Sequence, residues 1–279
     1  MFCHPFHWGH DFTQRFQHVM ISSAAVFLLV IPGGLCVDII GGDEVAPHSR
    51  PFMALILKNE GRKERLLICG GALIKRNWVL TAAHCPVESS NDSVILGAHS
   101  IKRKEKEKQF FKIAKLIRHP CYWPESKEHD LMLLQLKGRA KLNKAVKTIQ
   151  LPTSNDDPKP GTVCRVAGWG QTKNNLRKPS ETLREVNVTI ISREICNSKK
   201  YYQNNPTITD RMICAGSEKG NRDSCVGDSG GPLICNNVMR GITSFGKKDK
   251  CGAIGAPGVY TRLTKQYVQW IKKTIGGDF

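Results

Sequence analysis

A serine set among glycines is the first residue of this sequence that could do covalent chemistry. In the stretch Asp223-Ser-Cys-Val-Gly-Asp-Ser-Gly-Gly-Pro232, Ser229 lies between Asp228 and a pair of glycines, with Gly227 just before them. A serine hydroxyl becomes a nucleophile when a base removes its proton and backbone N–H groups stabilise the resulting oxyanion. Glycines let the backbone turn tightly and direct those N–H groups. Gly-x-Ser-x-Gly also occurs in ordinary turns, so the stretch needs partners elsewhere in the chain.

The order of those partners along the chain selects one type of serine hydrolase. An α/β-hydrolase requires a histidine after the serine, but His129 is the last histidine of this chain and precedes Ser229. The subtilisin order needs an aspartate ahead of the histidine, and Asp43 falls in an N-terminal segment with a different interpretation. The order His, Asp, Ser remains, and it is that of the chymotrypsin-type hydrolases.

Two further stretches supply the histidine and the aspartate in that order. Trp-Val-Leu-Thr-Ala-Ala-His-Cys contains His84, and His-Asp-Leu-Met-Leu-Leu-Gln-Leu contains Asp130. Together with the stretch around Ser229, they resemble the trypsin-like serine protease family, and the resemblance covers essentially all of residues 39–279. It implies that His84 is the general base, that Asp130 orients its imidazole, and that Ser229 is the nucleophile. The N–H groups of Gly227 and Ser229 would form the oxyanion hole, with no metal or cofactor.

The same resemblance predicts the specificity of the enzyme. Asp223, six residues before the nucleophile, matches the floor of the primary specificity pocket. A carboxylate there selects a substrate arginine or lysine, because a buried charge without a partner is costly. The other residues that match pocket positions are Ser224, Ser244, Gly246 and Gly258. The two glycines would leave room for a long cationic side chain.

The N-terminus predicts a secreted precursor. Residues 1–36 read as a signal peptide, because the apolar segment 19–31 is shorter than the roughly 20 residues that span a bilayer. The sequence Ile-Ile-Gly-Gly that begins at Ile39 resembles the new N-terminus made on activation in this family. Its ammonium would be buried against Asp228. Residues 37–38 would then be an activation dipeptide removed by a dipeptidase, and 39–279 the protease domain.

Eleven cysteines indicate an oxidising compartment, since their spacing is not that of a zinc site. Removal of residues 1–36 leaves nine, of which eight could pair in about a hundred ways. The family resemblance implies the pairs Cys69–Cys85, Cys164–Cys235, Cys196–Cys214 and Cys225–Cys251. Cys121 remains, and an odd cysteine in a secreted protein predicts an interchain bridge or a free thiol.

Several stretches narrow the resemblance to the granzymes. They include Pro-His-Ser-Arg-Pro at 47–51, Leu-Gly-Ala-His-Ser-Ile at 96–101 and Thr-Ser-Phe-Gly at 243–246. The likeness implies a tryptase of cytotoxic lymphocyte granules, stored on acidic proteoglycan and used in target-cell killing. One tryptase of this group has its odd cysteine at the position of Cys121 and is a disulfide-linked homodimer. A second one lacks that bridge and is the competing relative.

The charge of the chain predicts an anionic partner. The formal net charge is +18, and the densest basic run is 102–108, with others at 173–178 and 247–250. We expect binding to a heparin-like glycan, weakened by salt. An inactive, glycan-binding relative is the alternative, and a nucleic-acid-binding role lacks a recognition fold. The N-glycosylation sequons are Asn91 and Asn187.

Short apolar runs broken by turns predict an all-β protein. The predicted strands are 52–57, 66–73, 94–96, 111–117, 131–136, 162–167, 186–190, 233–235, 241–245 and 258–263. The family resemblance implies two six-stranded antiparallel β-barrels with the active site in the cleft between them, and residues 156–161 as the crossover. Thr264 is a predicted N-cap of a C-terminal helix with Val268, Ile271 and Ile275 on its apolar face.

Overall fold

The computed structural model describes residues 40–60, 64–89, 91–173, 178–247 and 249–276. The predicted signal peptide, the activation dipeptide and Ile39 lie outside the described residues. Within the described ranges the chain forms thirteen strands and two helices. Neither helix is long and apolar enough to cross a membrane.

The first barrel is built from six antiparallel strands. Ahead of it, β1 is Asp43–Glu44; the barrel strands are β2 Met53–Glu60, β3 Glu64–Lys75, β4 Trp78–Thr81, β5 Ser93–Leu96, β6 Gln109–Arg118 and β7 Met132–Leu136. They close in the order β2-β3-β4-β7-β6-β5. Strand β2 is buried on both faces, as its unbroken apolar run requires. Ala54 and Ile56 fill the barrel, whereas Leu55 packs outside it in a cluster with Trp169 and Leu183.

The second barrel also has six strands. They are β8 Val163–Gly168, β9 Arg184–Ile191, β10 Met212–Gly216, β11 Pro232–Cys235, β12 Val238–Phe245 and β13 Gly258–Arg262. The order β9-β10-β13-β12-β11-β8 closes because β8 also pairs with β9, and β1 adds to β9 from outside. Along β9, Val186, Val188 and Ile190 are buried, while Asn187 faces outward, which is the alternation read from the sequence. The fold prediction of two six-stranded barrels is confirmed.

The helices are α1 Arg193–Asn197 and α2 Lys265–Ile275. The Thr264 hydroxyl accepts a hydrogen bond from the Tyr267 N–H at 3.3 Å, so the predicted N-cap begins α2. Ile271 is fully buried, and Val268 and Ile275 pack against the same core. Strands β4 and β10 were not among the predicted runs. Both are short and buried throughout, so neither shows the alternation that marks a strand.

Four disulfide bonds form among the described residues. They join Cys69 to Cys85, Cys164 to Cys235, Cys196 to Cys214 and Cys225 to Cys251, the pairs that the family resemblance implies. The first closes the segment that ends next to His84. The fourth closes the segment that contains Ser229.

Candidate active site

His84 and Asp130 meet at the ends of two strands of the first barrel. His84 lies three residues after the end of β4, and Asp130 lies two residues before β7, which pairs with β4. The Asp130 carboxylate is fully buried and accepts hydrogen bonds from His84 Nδ1 at 2.7 Å and from the His84 backbone N–H at 2.8 Å. Two contacts to one carboxylate fix both the position and the ring orientation of the histidine. The proton on Nδ1 then leaves Nε2 free to accept another.

A third hydrogen bond to Asp130 comes from the second barrel. The Ser244 hydroxyl, on β12, donates to the same carboxylate oxygen that receives His84 Nδ1. Burial by itself would raise the pKa of Asp130, but the hydrogen bonds from His84 and Ser244 outweigh burial and the pKa is lowered. The carboxyl therefore stays ionised beside the imidazole. The sequence predicts Ser244 only as a pocket residue, and the structure adds a hydrogen bond from its hydroxyl to Asp130.

Ser229 is attached to the first barrel through its own backbone. Its carbonyl accepts from the Gly70 N–H at 2.8 Å, and the Thr81 hydroxyl donates to the Gly70 carbonyl at 2.8 Å. Gly230 lies so close to Thr81 that a side chain there would collide with the threonine hydroxyl. The serine is thus held beside the segment that leads from β4 to His84. Among the described residues no hydrogen bond joins His84 Nε2 to Ser229 Oγ, a bond that often forms only with substrate present.

The backbone around Ser229 leaves two N–H groups available. The N–H groups of Asp228, Gly230 and Gly231 donate to Cys225, Thr243 and Asp228 carbonyls, respectively. Those of Gly227 and Ser229 donate to no acceptor in the part of the chain that the structure describes. Gly227 has φ +99°, a conformation that favours glycine. Two free donors separated by one residue can bind a developing oxyanion.

The Asp228 side chain holds the loop that contains Ser229 in place. Its carboxylate is fully buried and accepts from the Gly170 N–H at 2.8 Å and the Cys225 N–H at 2.9 Å. A side chain at Gly168 or Gly170 would collide with it. Burial raises the pKa of Asp228 to about 6, since the two N–H donors compensate only part of the lost solvation. No described residue therefore places a full positive charge next to the Asp228 carboxylate.

Asp223 lies in a buried position with one oxygen unused. The residue is 2% exposed; its Oδ2 accepts from the Gly252 N–H at 3.1 Å, and its Oδ1 has no hydrogen-bond partner among the described residues. Burial raises the pKa of Asp223 to about 7. A buried acceptor without a donor is rare in folded proteins, and a water molecule or a bound ligand can supply the donor.

Glycine residues and side chains with hydroxyl groups surround the Asp223 carboxylate. A Cβ atom at Gly258 would lie 2.9 Å from Asp223 Oδ1, whereas a Cβ at Gly246 would meet nothing within 4 Å. The missing side chain of Gly258 therefore leaves room next to Asp223 Oδ1, and Gly246 borders open space. The Ser224 hydroxyl lies 3.1 Å from the Tyr260 hydroxyl and is buried beside the carboxylate.

The remaining predicted sites are on the surface. Cys121 is exposed and forms no disulfide, and Trp123 beside it is 62% exposed. Asn91 and Asn187 are both exposed.

The described ranges contain one group of potential metal ligands, Cys69, His84 and Cys85. Because its two cysteines are joined in a disulfide, that group has no thiolate to offer a metal.

Comparisons with known proteins agree with this geometry. The model of the Trypsin family matches residues 39–271. Granzyme A of Bos taurus is 56% identical over 256 residues, which is 91% of this chain and 95% of the relative. Granzyme B(G,H) of Mus musculus is 46% identical over 85% of this chain and 91% of its own length. Among solved structures, the mouse brain serine protease neuropsin superimposes with a TM-score of 0.73 and 42% identity, over 84% of this chain and 98% of neuropsin.

Proposed function

Because the chain belongs to the trypsin family and is a serine endopeptidase, we propose that it cleaves peptide bonds after arginine or lysine. One observation carries the proposal: the buried Asp223 carboxylate has an oxygen without a partner. A guanidinium or ammonium group would supply both the missing donor and the missing charge. A neutral or acidic side chain would leave the carboxylate unpaired, at a cost of a few kcal/mol. The proposed specificity pocket therefore favours a substrate side chain with a positive charge.

We propose that catalysis proceeds through an acyl-enzyme. His84 Nε2 takes the proton of Ser229 Oγ as the oxygen attacks the scissile carbonyl carbon. The carbonyl oxygen becomes an oxyanion that accepts from the Gly227 and Ser229 N–H groups. The imidazolium then gives its proton to the leaving amine, and Asp130, held ionised, stabilises the imidazolium. Water attacks the ester by the same route and restores Ser229.

The experiment that tests the specificity is a panel of peptides that differ only at the residue before the cleaved bond. Activated enzyme should hydrolyse the arginine and lysine peptides, with kcat/KM at least about a hundredfold above the neutral and acidic ones. A preference for an acidic or an aromatic residue would refute the assignment of Asp223.

We also propose that the protease is made as a precursor. In this account residues 1–36 are a signal peptide, 37–38 an activation dipeptide and 39–279 the mature domain. The Asp223 N–H donates to the Ile40 carbonyl at 3.1 Å, so the residue after Ile39 already contacts the segment that carries the specificity pocket. The buried Asp228 would gain the ammonium of a freed Ile39 as its missing cation. N-terminal sequencing of the active enzyme should begin at Ile39; any other start contradicts this step.

Within the family, we propose a granzyme A-like tryptase of cytotoxic lymphocyte granules that acts in target-cell killing. The similarity to Granzyme A of Bos taurus supports it, as does the exposed, unpaired Cys121. We propose that Cys121 joins two copies in a disulfide-linked homodimer, and that the cationic enzyme is stored on anionic proteoglycan. A non-reducing gel should show a species of doubled mass that is missing in Cys121→Ser. A monomer in both lanes would favour the granzyme K-like alternative.

A further inference from the structure

A buried histidine joins the first barrel to the segment that follows Ile39. His99 lies three residues after the end of β5 and is 5% exposed. Its Nε2 lies 2.8 Å from Oε1 of Glu44, a residue of β1. Because an ionised carboxylate only accepts hydrogen bonds, His99 Nε2 carries a proton and donates it to this contact. The other ring nitrogen, Nδ1, has no partner among the described residues, so the ring is oriented through Glu44.

The Glu44 carboxylate also contacts the second barrel. Its Oε2 lies 3.9 Å from Nη1 of Arg184, the first residue of β9, and Arg184 Nη2 donates to the Gly42 carbonyl at 3.3 Å. The pKa of Glu44 is lowered, chiefly by the hydrogen bond from His99, although burial opposes the shift. The ionised carboxylate therefore connects β1 to a histidine of the first barrel and to a cation of the second.

The backbone of His99 contacts a residue that helps to hold Asp228. The His99 carbonyl accepts a hydrogen bond from Trp169 Nε1 at 2.9 Å. Trp169 is fully buried, and the N–H of the next residue, Gly170, donates to the Asp228 carboxylate at 2.8 Å. A short series of contacts thus leads from Glu44 through His99 and Trp169 to Asp228, the residue proposed to receive the N-terminal ammonium of the activated enzyme.

The residues just ahead of β1 pack closely against the second barrel. Gly41 has φ +71°, and a side chain at this position would collide with the Asn221 carbonyl. The Ile40 carbonyl accepts a hydrogen bond from the Asp223 N–H at 3.1 Å. Since only two residues separate Ile40 from β1, a displacement of β1 would move Ile40 as well. The position of β1 therefore decides where the mature chain can begin.

We propose that His99 and Glu44 are positioning residues that hold β1 where the freed Ile39 ammonium reaches Asp228. The inference rests on the proposed activation step and adds the side-chain contact that keeps the activated form assembled. Without the Glu44 carboxylate, β1 is held mainly by the backbone pairing of its two residues with β9. A larger share of the mature molecules then has a released N-terminus, and in these molecules Asp228 lacks its cation.

The reactivity of the N-terminal amine tests this inference independently of activity. An acetylating reagent is added to the mature enzyme at about pH 8, where an exposed α-amino group is partly unprotonated and reactive and a buried, ion-paired one is protected. Peptide mass spectrometry follows acetylation of residue 39 in wild type, in Glu44→Ala and in the control Glu185→Ala. The control removes a carboxylate from the same strand pair, since Glu185 lies opposite Asp43 and accepts hydrogen bonds from Arg50 at 2.5 and 2.7 Å.

Glu44→Ala should be acetylated at residue 39 roughly three- to tenfold faster than wild type, as expected for the loss of one partly exposed, charged hydrogen bond. Glu185→Ala should stay within about twofold of wild type. Acetylation of Lys108, whose side chain is 4% exposed, should not rise, because the change is local. An unchanged rate in Glu44→Ala, or an equal rise in Glu185→Ala or at Lys108, would overturn the inference while the activation step stands. A wild-type amine as reactive as that of the urea-unfolded protein would instead contradict the activation step itself.

Discussion

Replacing Asp223 by asparagine removes one charge from the proposed specificity pocket and almost no volume. The asparagine keeps a carbonyl oxygen for the Gly252 N–H, which donates to Asp223 Oδ2 at 3.1 Å. It has no charge to offer to the substrate at the position of Oδ1, the oxygen without a partner. The variant therefore isolates the electrostatic part of the proposed recognition.

The expected loss follows from the burial of the site. Asp223 is 2% exposed, so a substrate cation bound to it would form a buried ion pair. Removal of one partner from such a pair costs about 3–5 kcal/mol. At 1.36 kcal/mol for each factor of ten, kcat/KM for arginine and lysine peptides should fall roughly 10²- to 10⁴-fold. A reactive ester of a small neutral acid should be hydrolysed at a rate close to that of wild type, because Asp223 does not contact His84 or Asp130.

The same variant should change the pH dependence of stability. Burial raises the pKa of Asp223 in the fold to about 7 from an ordinary value of 3.8, so the folded protein holds this proton more tightly than the unfolded chain does. Between about pH 4 and 7 the unfolded state has lost the proton and the folded state has not, so this group lowers the free energy of unfolding as pH rises. Above about pH 7 the folded state has lost the proton as well, and the decrease in the free energy of unfolding is complete. Asp223→Asn removes this decrease.

Two measurements check this reasoning. Steady-state kinetics on an arginine peptide and on the neutral ester separate specificity from catalysis. Urea unfolding at pH 4 and pH 8 should show that the variant gains stability relative to wild type at the higher pH. Unchanged hydrolysis after arginine would refute the role of Asp223. A relative stability that falls with rising pH would refute the raised pKa.

Three other substitutions address the neighbouring residues. Ser244→Ala removes a hydrogen bond to the Asp130 carboxylate, and we expect kcat to fall about tenfold with little change in KM; a kcat within about twofold of wild type contradicts this role. Gly258→Ala would place a methyl group 2.9 Å from Asp223 Oδ1, and KM for an arginine peptide should rise about tenfold, whereas an unchanged KM would mean that this wall is not part of the pocket. Cys121→Ser should leave kcat/KM on small peptides unchanged, and a large loss would mean that the proposed dimer contributes to the active site.

The fold class and the order of the proposed catalytic residues were accessible from the sequence. His84, Asp130 and Ser229 lie in three separate stretches whose order excludes two other arrangements, and the structure brings the first two into direct contact. The alternation of Val186 and Val188 with Asn187 marks β9 clearly. These features are local, so a sequence reveals them.

Features that depend on distant contacts were not accessible in the same way. The Ser244 hydroxyl reaches Asp130 across 114 residues of chain, and no local pattern predicts that bond. Strand β10, which starts at Met212, is buried on both faces and short, so it has no periodicity to detect.

The most direct test of the central claim is covalent labelling of the activated enzyme. A phosphonate diester with an arginine-like side chain labels a serine efficiently when two conditions are met. The serine must be activated, and a pocket next to it must bind the cationic side chain of the reagent. Peptide mass spectrometry should find one adduct, on Ser229, that is absent from Asp223→Asn and from His84→Ala at the same reagent concentration. An adduct elsewhere, or equal labelling of Ser229 by a reagent with an acidic side chain, would contradict the account.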